Sequence, residues 1–490
     1  MADNPRFRRI VNGRGFVEPL EAEESAVGRE IAMRRTKRAG AVALLMLLSL
    51  LPQSGVSLEA GAPRSPTGLS DYIFTAFLLL QIGDLIQGET VTDLRNPLVP
   101  VRCEGRLESV WNFAEYSGEP EPILTRCELA GSFAAPECDA AQSSLGLDLD
   151  QPIGSHQPDF YWDSLDAASG ETCDGGGAAA AILGELNSPG DLFGVVADPD
   201  GAHTVFVEEG DLIPDGGGAT FIALGAVATA GNYVAFSGSG AGGVGGVYVY
   251  DRTLGTLTRI ADSTMPRPRS PGNFTGASST DLFEVGGEVW VAWADGAGAY
   301  TAPVDLSAPP TQPAATGDPY AAGRNLHGPL NQVSYWEPGR LVFRGVSETL
   351  QDGIYSVALA SPGVIVRHAD NETTTLAEGT GSFGALQSPS GAGDTLLFEA
   401  FSSSFVYLGA FADPDLADGP VTPFLLRNDP LDGKMVQTVV VNKRSVVRGG
   451  EVAALVYFTN ATGGVYLFNE APLIADFEEN DFSEWSAVVP

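Results

Sequence analysis

Gly246-Val247-Tyr248-Val249-Tyr250 and Gly353-Ile354-Tyr355-Ser356-Val357 are one phrase written twice, a small residue running into alternating aliphatic and aromatic side chains. Alternation of that kind reads as a strand packed on a core. Further copies stand at His203-Thr204-Val205-Phe206-Val207, Gly298-Ala299-Tyr300-Thr301, Phe405-Val406-Tyr407-Leu408 and Gly464-Val465-Tyr466-Leu467-Phe468. Their aromatic anchors, Phe206, Tyr248, Tyr300, Tyr355, Tyr407 and Tyr466, lie 42, 52, 55, 52 and 59 residues apart. A period of that size, in units too small to bury a core alone, predicts the blades of a β-propeller.

The other parts of the unit arrive in a fixed order. A buried-type strand precedes most copies, as in Asn232-Tyr233-Val234-Ala235-Phe236 and Arg340-Leu341-Val342-Phe343. A strand ending in an acid follows several, as in Thr258-Arg259-Ile260-Ala261-Asp262 and Val366-Arg367-His368-Ala369-Asp370. Next comes a Pro/Gly-rich turn and a Gly-x-Phe step into the next unit, seen at Gly218 to Phe221, Gly272 to Phe274 and Gly381 to Phe383. The expected fold is therefore all-β, a propeller of six four-stranded blades over residues 180–475, or seven if residues 70–179 supply one. Protection of the sheet edges asks for an N-terminal strand to complete the last blade.

Ile260-Ala261-Asp262-Ser263-Thr264-Met265-Pro266 through Gly272-Asn273-Phe274-Thr275, and Gly210-Asp211-Leu212-Ile213-Pro214, resemble the units of a family of secreted bacterial repeat proteins of uncharacterised function. That resemblance implies a propeller and export, and it carries no activity. The tail Asp476-Phe477-Glu478-Glu479-Asn480-Asp481-Phe482-Ser483-Glu484-Trp485-Ser486 resembles a C-terminal sorting segment of exported proteins, so residues 476–490 are expected to form a tail separate from the propeller.

Met33-Arg34-Arg35-Thr36-Lys37-Arg38 followed by the apolar run Ala39 to Leu51 has the layout of a secretory signal. Residues 1–62 then read as an over-extended start plus signal peptide, with Met33 as the true first residue and the mature protein secreted, extracellular or periplasmic. An uncleaved anchor is the rival reading. Tyr72 to Ile82 is apolar but too short to cross a bilayer, and is expected to be a core strand or helix. The four cysteines, Cys103, Cys127, Cys138 and Cys173, fall in residues 63–179. An even count in an exported segment predicts two disulfides, with three pairings open, and a cap or degenerate blade pinned by them.

Net charge is −35, and residues 63–490 alone carry −37. Such a surface repels phosphate backbones and anionic lipid, which excludes nucleic acid as a partner. The only lysines are Lys37, Lys434 and Lys443.

Catalytic patterns are scarce. There is no Gly-x-Ser-x-Gly elbow and no His-Glu-x-x-His, and His156, His203, His327 and His368 are dispersed. Gly379-Thr380-Gly381-Ser382-Phe383-Gly384 spells a dinucleotide fingerprint, but without a βαβ context it reads as a turn. Asp413, Asp415 and Asp418 space carboxylates somewhat like a calcium loop, and calcium is the one cofactor they would take. The recurrent acids Asp211, Asp262, Asp318, Asp370 and Asp429 either ring one face or cap the turns they begin.

These readings predict an exported, monomeric, non-catalytic propeller that binds a glycan or protein at the cell surface. A secreted polysaccharide hydrolase or lyase using carboxylates at the channel mouth is the alternative. Clustered acids at the axis would favour the enzyme, and exposed aromatics on loops would favour binding.

Overall fold

The computed structural model describes residues 74–470, except 87–88, 104–105, 118–122, 131–136, 139–143, 146–159, 165–179, 187–191, 198–202, 337–338, 373, 375–382, 414–420 and 448–450; part of the side chains in residues 74–208 lie outside the description as well. Within it, seven antiparallel sheets of four or more strands follow one another. The third sheet shows the plan: Phe221–Ala230, Tyr233–Gly240, Gly245–Asp251 and Thr256–Asp262 pair in chain order. Residues 160–208, 279–315, 331–370 and 385–426 repeat it, and residues 85–145 form the first sheet. The seventh uses Lys434–Val440, Glu451–Phe458 and Gly463–Glu470, and Phe74–Gln81 completes it from the other end of the chain. The apolar run at Tyr72 to Ile82 is thus the strand that covers an edge otherwise open to pairing with another chain. Such a succession of meander sheets, closed by a strand from the opposite terminus, is a β-propeller-type fold.

Consecutive sheets share their cores, six of which fall among the described residues. Val247, Val249 and Ile260 of the third sheet meet Trp293, Tyr300 and Leu282 of the fourth. Ile86, Leu94 and Val110 of the first meet Leu455, Val465 and Leu467 of the seventh, where Tyr457 also donates to the carbonyl of Leu94 at 2.7 Å. Each fully buried aliphatic or aromatic side chain contributes about 1.5–3 kcal/mol, so the interfaces between sheets, more than any one sheet, hold the fold.

The repeated Tyr belongs to this packing. Tyr248, Tyr300, Tyr355 and Tyr466 stand on the third strand of their sheets, buried against the preceding sheet. A bulge against the fourth strand immediately precedes the anchor at Val247/Tyr248, Ile354/Tyr355, Ala410/Phe411 and Gly194/Val195. That register corrects two of the expected anchors. Phe206 lies on the fourth strand of its sheet, His203–Glu208, and Val195 occupies the anchor position. In the sixth sheet Phe411, stacked on Phe398, is the anchor, whereas Tyr407 packs toward the seventh sheet. With Val195 and Phe411 in place the intervals become 53, 52, 55, 56 and 55. A Gly-led aromatic phrase is a weaker guide to register than the bulge, because a one-residue slip turns a side chain to the other face.

The aromatic of the Gly-x-Phe step meets the anchor edge-on. Phe221 with Tyr248, Phe274 with Tyr300 and Phe383 with Phe411 have ring centroids 4.9, 4.9 and 5.0 Å apart. Tyr320 takes that role for Tyr355, at 5.1 Å. Edge-to-face pairs of this kind add about 0.5–1.5 kcal/mol beyond burial, so the two recurring aromatic positions are two halves of one contact.

The recurrent acids cap turns. Asp211, Asp318 and Asp429 each accept from the backbone N–H three residues earlier, at Glu208, Ala315 and Leu426, at 2.8, 2.8 and 2.7 Å. Asp84 does the same to Gln81 at 2.8 Å, which marks Phe74–Gln81 as a fourth strand like the others. Asp262 and Asp370 instead bind the N–H two residues onward and an Arg three residues back, Arg259 and Arg367. Burial works against ionisation of Asp262, but hydrogen bonds from Thr264 and Arg259 outweigh it and hold the carboxyl below its ordinary range.

Cys127 is buried and disulfide-bonded. The signal segment and the tail at 476–490 also lie outside them.

Candidate functional site

The first strands of successive sheets stand side by side and are riveted through polar groups. Those of the third, fifth and sixth sheets bulge at their middle: Ala226, Gln332 and Ser388 have φ of 42°, 50° and 55°. The bulges free backbone groups for cross-sheet bonds. Thr280 donates to the carbonyl of Ala226 at 2.6 Å, the Gln332 amide oxygen accepts from the N–H of Ser388 at 3.0 Å, and Ser279 accepts from that of Val333 at 2.9 Å.

In the seventh sheet the equivalent bulge is a short segment, residues 441–445, and it reaches the fourth, fifth and sixth sheets. Lys443 Nζ donates to the carbonyl of Thr280 at 2.8 Å, and the carbonyl of Lys443 accepts from Ser334 and Ser390 at 2.9 and 3.1 Å. Arg444 donates to Asp281 Oδ1 at 3.0 Å and to the carbonyl of Leu282. Asp281 Oδ2 accepts from the N–H of Tyr335 at 2.7 Å. Nearby Glu399 is buried between the amide of Gln387 and the N–H of Val441. Burial pushes its carboxyl up to about 6, against the lowering effect of those two bonds. Both axial carboxylates are thus satisfied by protein donors.

The structure also assembles a Ser-His-Asp chain that dispersed histidines did not announce. His368 Nε2 lies 2.8 Å from Ser356 Oγ, and its Nδ1 lies 2.5 Å from Asp413 Oδ2. Arg340 donates to Ser356 Oγ at 3.2 Å. All three members are buried, and Trp336 stands edge-on to the imidazole at 5.4 Å. Nucleophilic catalysis needs the hydroxyl to face a substrate, and this one faces the core. Asp413, the first of the expected calcium-loop acids, thus directs a carboxylate oxygen inward to His368; Asp415 and Asp418 lie outside the described residues. The Gly379 to Ser382 part of the fingerprint lies outside them as well. Among the described residues no three His, Cys, Asp or Glu side chains gather as a metal site.

One cavity of about 460 Å³ opens where the third, fourth and fifth sheets meet. Its wall comes from the starts of first strands (Leu224, Asn331), the end of a second strand (Ser239), the start of a third (Gly245) and the connector Thr275 to Ser278. Antiparallel alternation places all of these at one end of the sheets. Asp295 is the single charged lining residue, and its carboxylate is already held by Arg267, the N–H groups of Thr275 and Ala297, and Tyr300. Asn331 Oδ1 is buried with no hydrogen-bond partner. Small residues and glycines carry no motif, so this cavity leaves no mark that can be read from the chain alone.

No family model and no curated protein matches the chain. Among solved structures it is similar to a prolyl endopeptidase, at 14% identity over 75% of this chain and 46% of that one with a TM-score of 0.42. The chain therefore spans less than half of that protein. It is also similar to an oligogalacturonate lyase in complex with manganese, at 10% identity over 82% of this chain and 99% of that one, TM-score 0.42. A third is the Dos1 propeller, at 7% identity over 80% and 81%, TM-score 0.37.

Proposed function

We propose that the protein is an exported, non-catalytic recognition propeller whose ligand, a glycan or a protein surface, is met by the cavity-bearing end of the sheets. The observation that carries this reading is the partnering of the chemistry-bearing groups. Asp281 and Glu399 at the axis and Ser356, His368 and Asp413 in the core are all engaged internally. The same end carries exposed apolar tips. Leu350 and Phe405, 73% and 78% exposed, sit at φ 60° and 58° in matching hairpins between second and third strands. Bulky residues held in that backbone region without burial are a mark of surfaces built for contact.

On this reading the seven sheets are seven blades of one ring. Cys103, Cys127, Cys138 and Cys173 form two disulfides suited to an oxidising compartment. Binding of the purified protein to immobilised polysaccharides and envelope proteins, with calcium and with chelator, tests the reading. Retention of at least one polysaccharide or envelope protein supports it, and loss with chelator would assign calcium to the segment after Asp413. Retention of none would refute it.

A further inference from the structure

We infer that residues 441–445 are a proton-controlled latch, held on the fourth, fifth and sixth sheets while Glu399 is neutral and released more readily once Glu399 is ionised. The segment is fastened mainly by polar groups. Val441 at its start and Val446 just after it are buried, but Asn442, Lys443 and Arg444 between them are only partly so. The carbonyl of Lys443 takes the hydroxyls of Ser334 and Ser390, and Ser390 Oγ accepts from the N–H of Val446 at 3.0 Å. Lys443 Nζ and Arg444 reach the fourth sheet at Thr280 and Asp281. An element held this way, by polar bonds with few apolar contacts, opens before the sheets around it unfold.

Glu399 joins that opening to a proton. It is 5% exposed, with Oε1 accepting from the N–H of Val441 at 2.8 Å and Oε2 from the amide of Gln387 at 3.0 Å. Lifting the segment takes the Val441 N–H from one oxygen and admits water to the carboxyl. Water solvates a carboxylate better than the closed site does, so ionisation favours the open form. Tyr407, on the third strand of the same sheet, lies within electrostatic reach of Glu399; burial holds its phenol well above the ordinary range, and its hydroxyl exchanges hydrogen bonds with the backbone of Val439. Lys443 and Arg444 are the charges on the segment itself, and both turn to the fourth sheet, where Arg444 meets Asp281. Burial raises the Glu399 carboxyl from 4.5 to about 6 in the closed form. The hold of the neutral acid is therefore complete below pH 4.5 and declines as pH rises through 6, which makes opening about thirtyfold more favourable.

Hydrogen–deuterium exchange of the purified protein, corrected for the pH dependence of intrinsic exchange, reads the latch without any ligand. Peptides covering residues 436–447 are expected to lose protection about thirtyfold between pH 4.5 and 7.5, while peptides covering residues 245–251 of the third sheet keep theirs. Glu399→Gln should keep the segment protected at both pH values. Gln387→Leu deletes a bond that favours the carboxylate, so it should move the loss of protection to higher pH, a shift that structural damage alone would not produce. Protection of residues 436–447 that does not change with pH would overturn the inference. So would an equal loss in residues 245–251, an undiminished loss in Glu399→Gln, or an unmoved onset in Gln387→Leu.

Discussion

Arg444 lies 163 residues beyond Asp281 in sequence and 3.0 Å from it in space, the guanidinium of the last sheet reaching the carboxylate of the fourth. Asp281 is 1% exposed, so its charge is tolerated through Arg444, the N–H of Tyr335 and its other donors. The fourth and seventh sheets are thus joined directly. Arg444→Ala, which strands a buried carboxylate, is expected to cost about 3 kcal/mol in urea unfolding. Arg444→Ala with Asp281→Asn should recover part of that loss. Equal loss in single and double variants would deny the coupling.

Closure by Phe74–Gln81 gives a second expectation. A chain begun at residue 63 should be soluble, and one begun at residue 83 should aggregate through the bared edge of Gly463–Glu470. Leu80 is buried between the first and seventh sheets, so Leu80→Ala should cost about 2–5 kcal/mol. Static light scattering and melting curves check both, and a soluble, cooperatively unfolding chain from residue 83 would contradict the closure.

Glu399 makes stability depend on pH in an unusual direction. Its carboxyl is raised from 4.5 to about 6 in the folded state, so folding takes up a proton between those values. Stability contributed by the neutral form is present below pH 4.5 and declines as pH rises through 6, by roughly 2 kcal/mol. Glu399→Gln keeps an acceptor for the N–H of Val441 and should abolish that decline. Urea midpoints at pH 4.5 and 7.5 give the comparison, and an unchanged pH slope in the variant would assign the effect elsewhere.

The Ser356, His368 and Asp413 chain is expected to behave as structure. A fluorophosphonate probe should leave Ser356 unlabelled in the native protein, because the hydroxyl is buried against His368 and Arg340. His368→Phe should destabilise by about 3 kcal/mol, by leaving Asp413 without its imidazole partner, and should leave ligand affinity unchanged. Native-state labelling at Ser356, found by peptide mapping, would reverse this assignment.

Much of the architecture was legible in the chain because the contact that repeats involves large aromatics. Tyr248 and Tyr300 and the Gly-x-Phe positions before them are visible in any reading, and the structure brings them together edge to face. Register was less legible: Val195 is a small anchor, and Phe405-Val406-Tyr407 imitates the phrase one turn too early. One signal was present and passed over. Gly83-Asp84-Leu85-Ile86 repeats Gly210-Asp211-Leu212-Ile213, and that identity marks the N-terminal strand as the missing fourth strand of the last sheet. The site was hardly legible at all. His368 and Asp413 are 45 residues apart on different sheets, and the cavity is lined mostly by Gly, Ala, Ser and Thr that belong to no motif.

The most direct test of the recognition reading is to recover each bound polysaccharide after prolonged incubation with the protein and measure its chain length by size exclusion, with reducing ends counted in parallel. The account predicts polysaccharide that is bound and released at its original length with no new reducing ends. Shortened chains or accumulating reducing ends would contradict it and make the protein an enzyme.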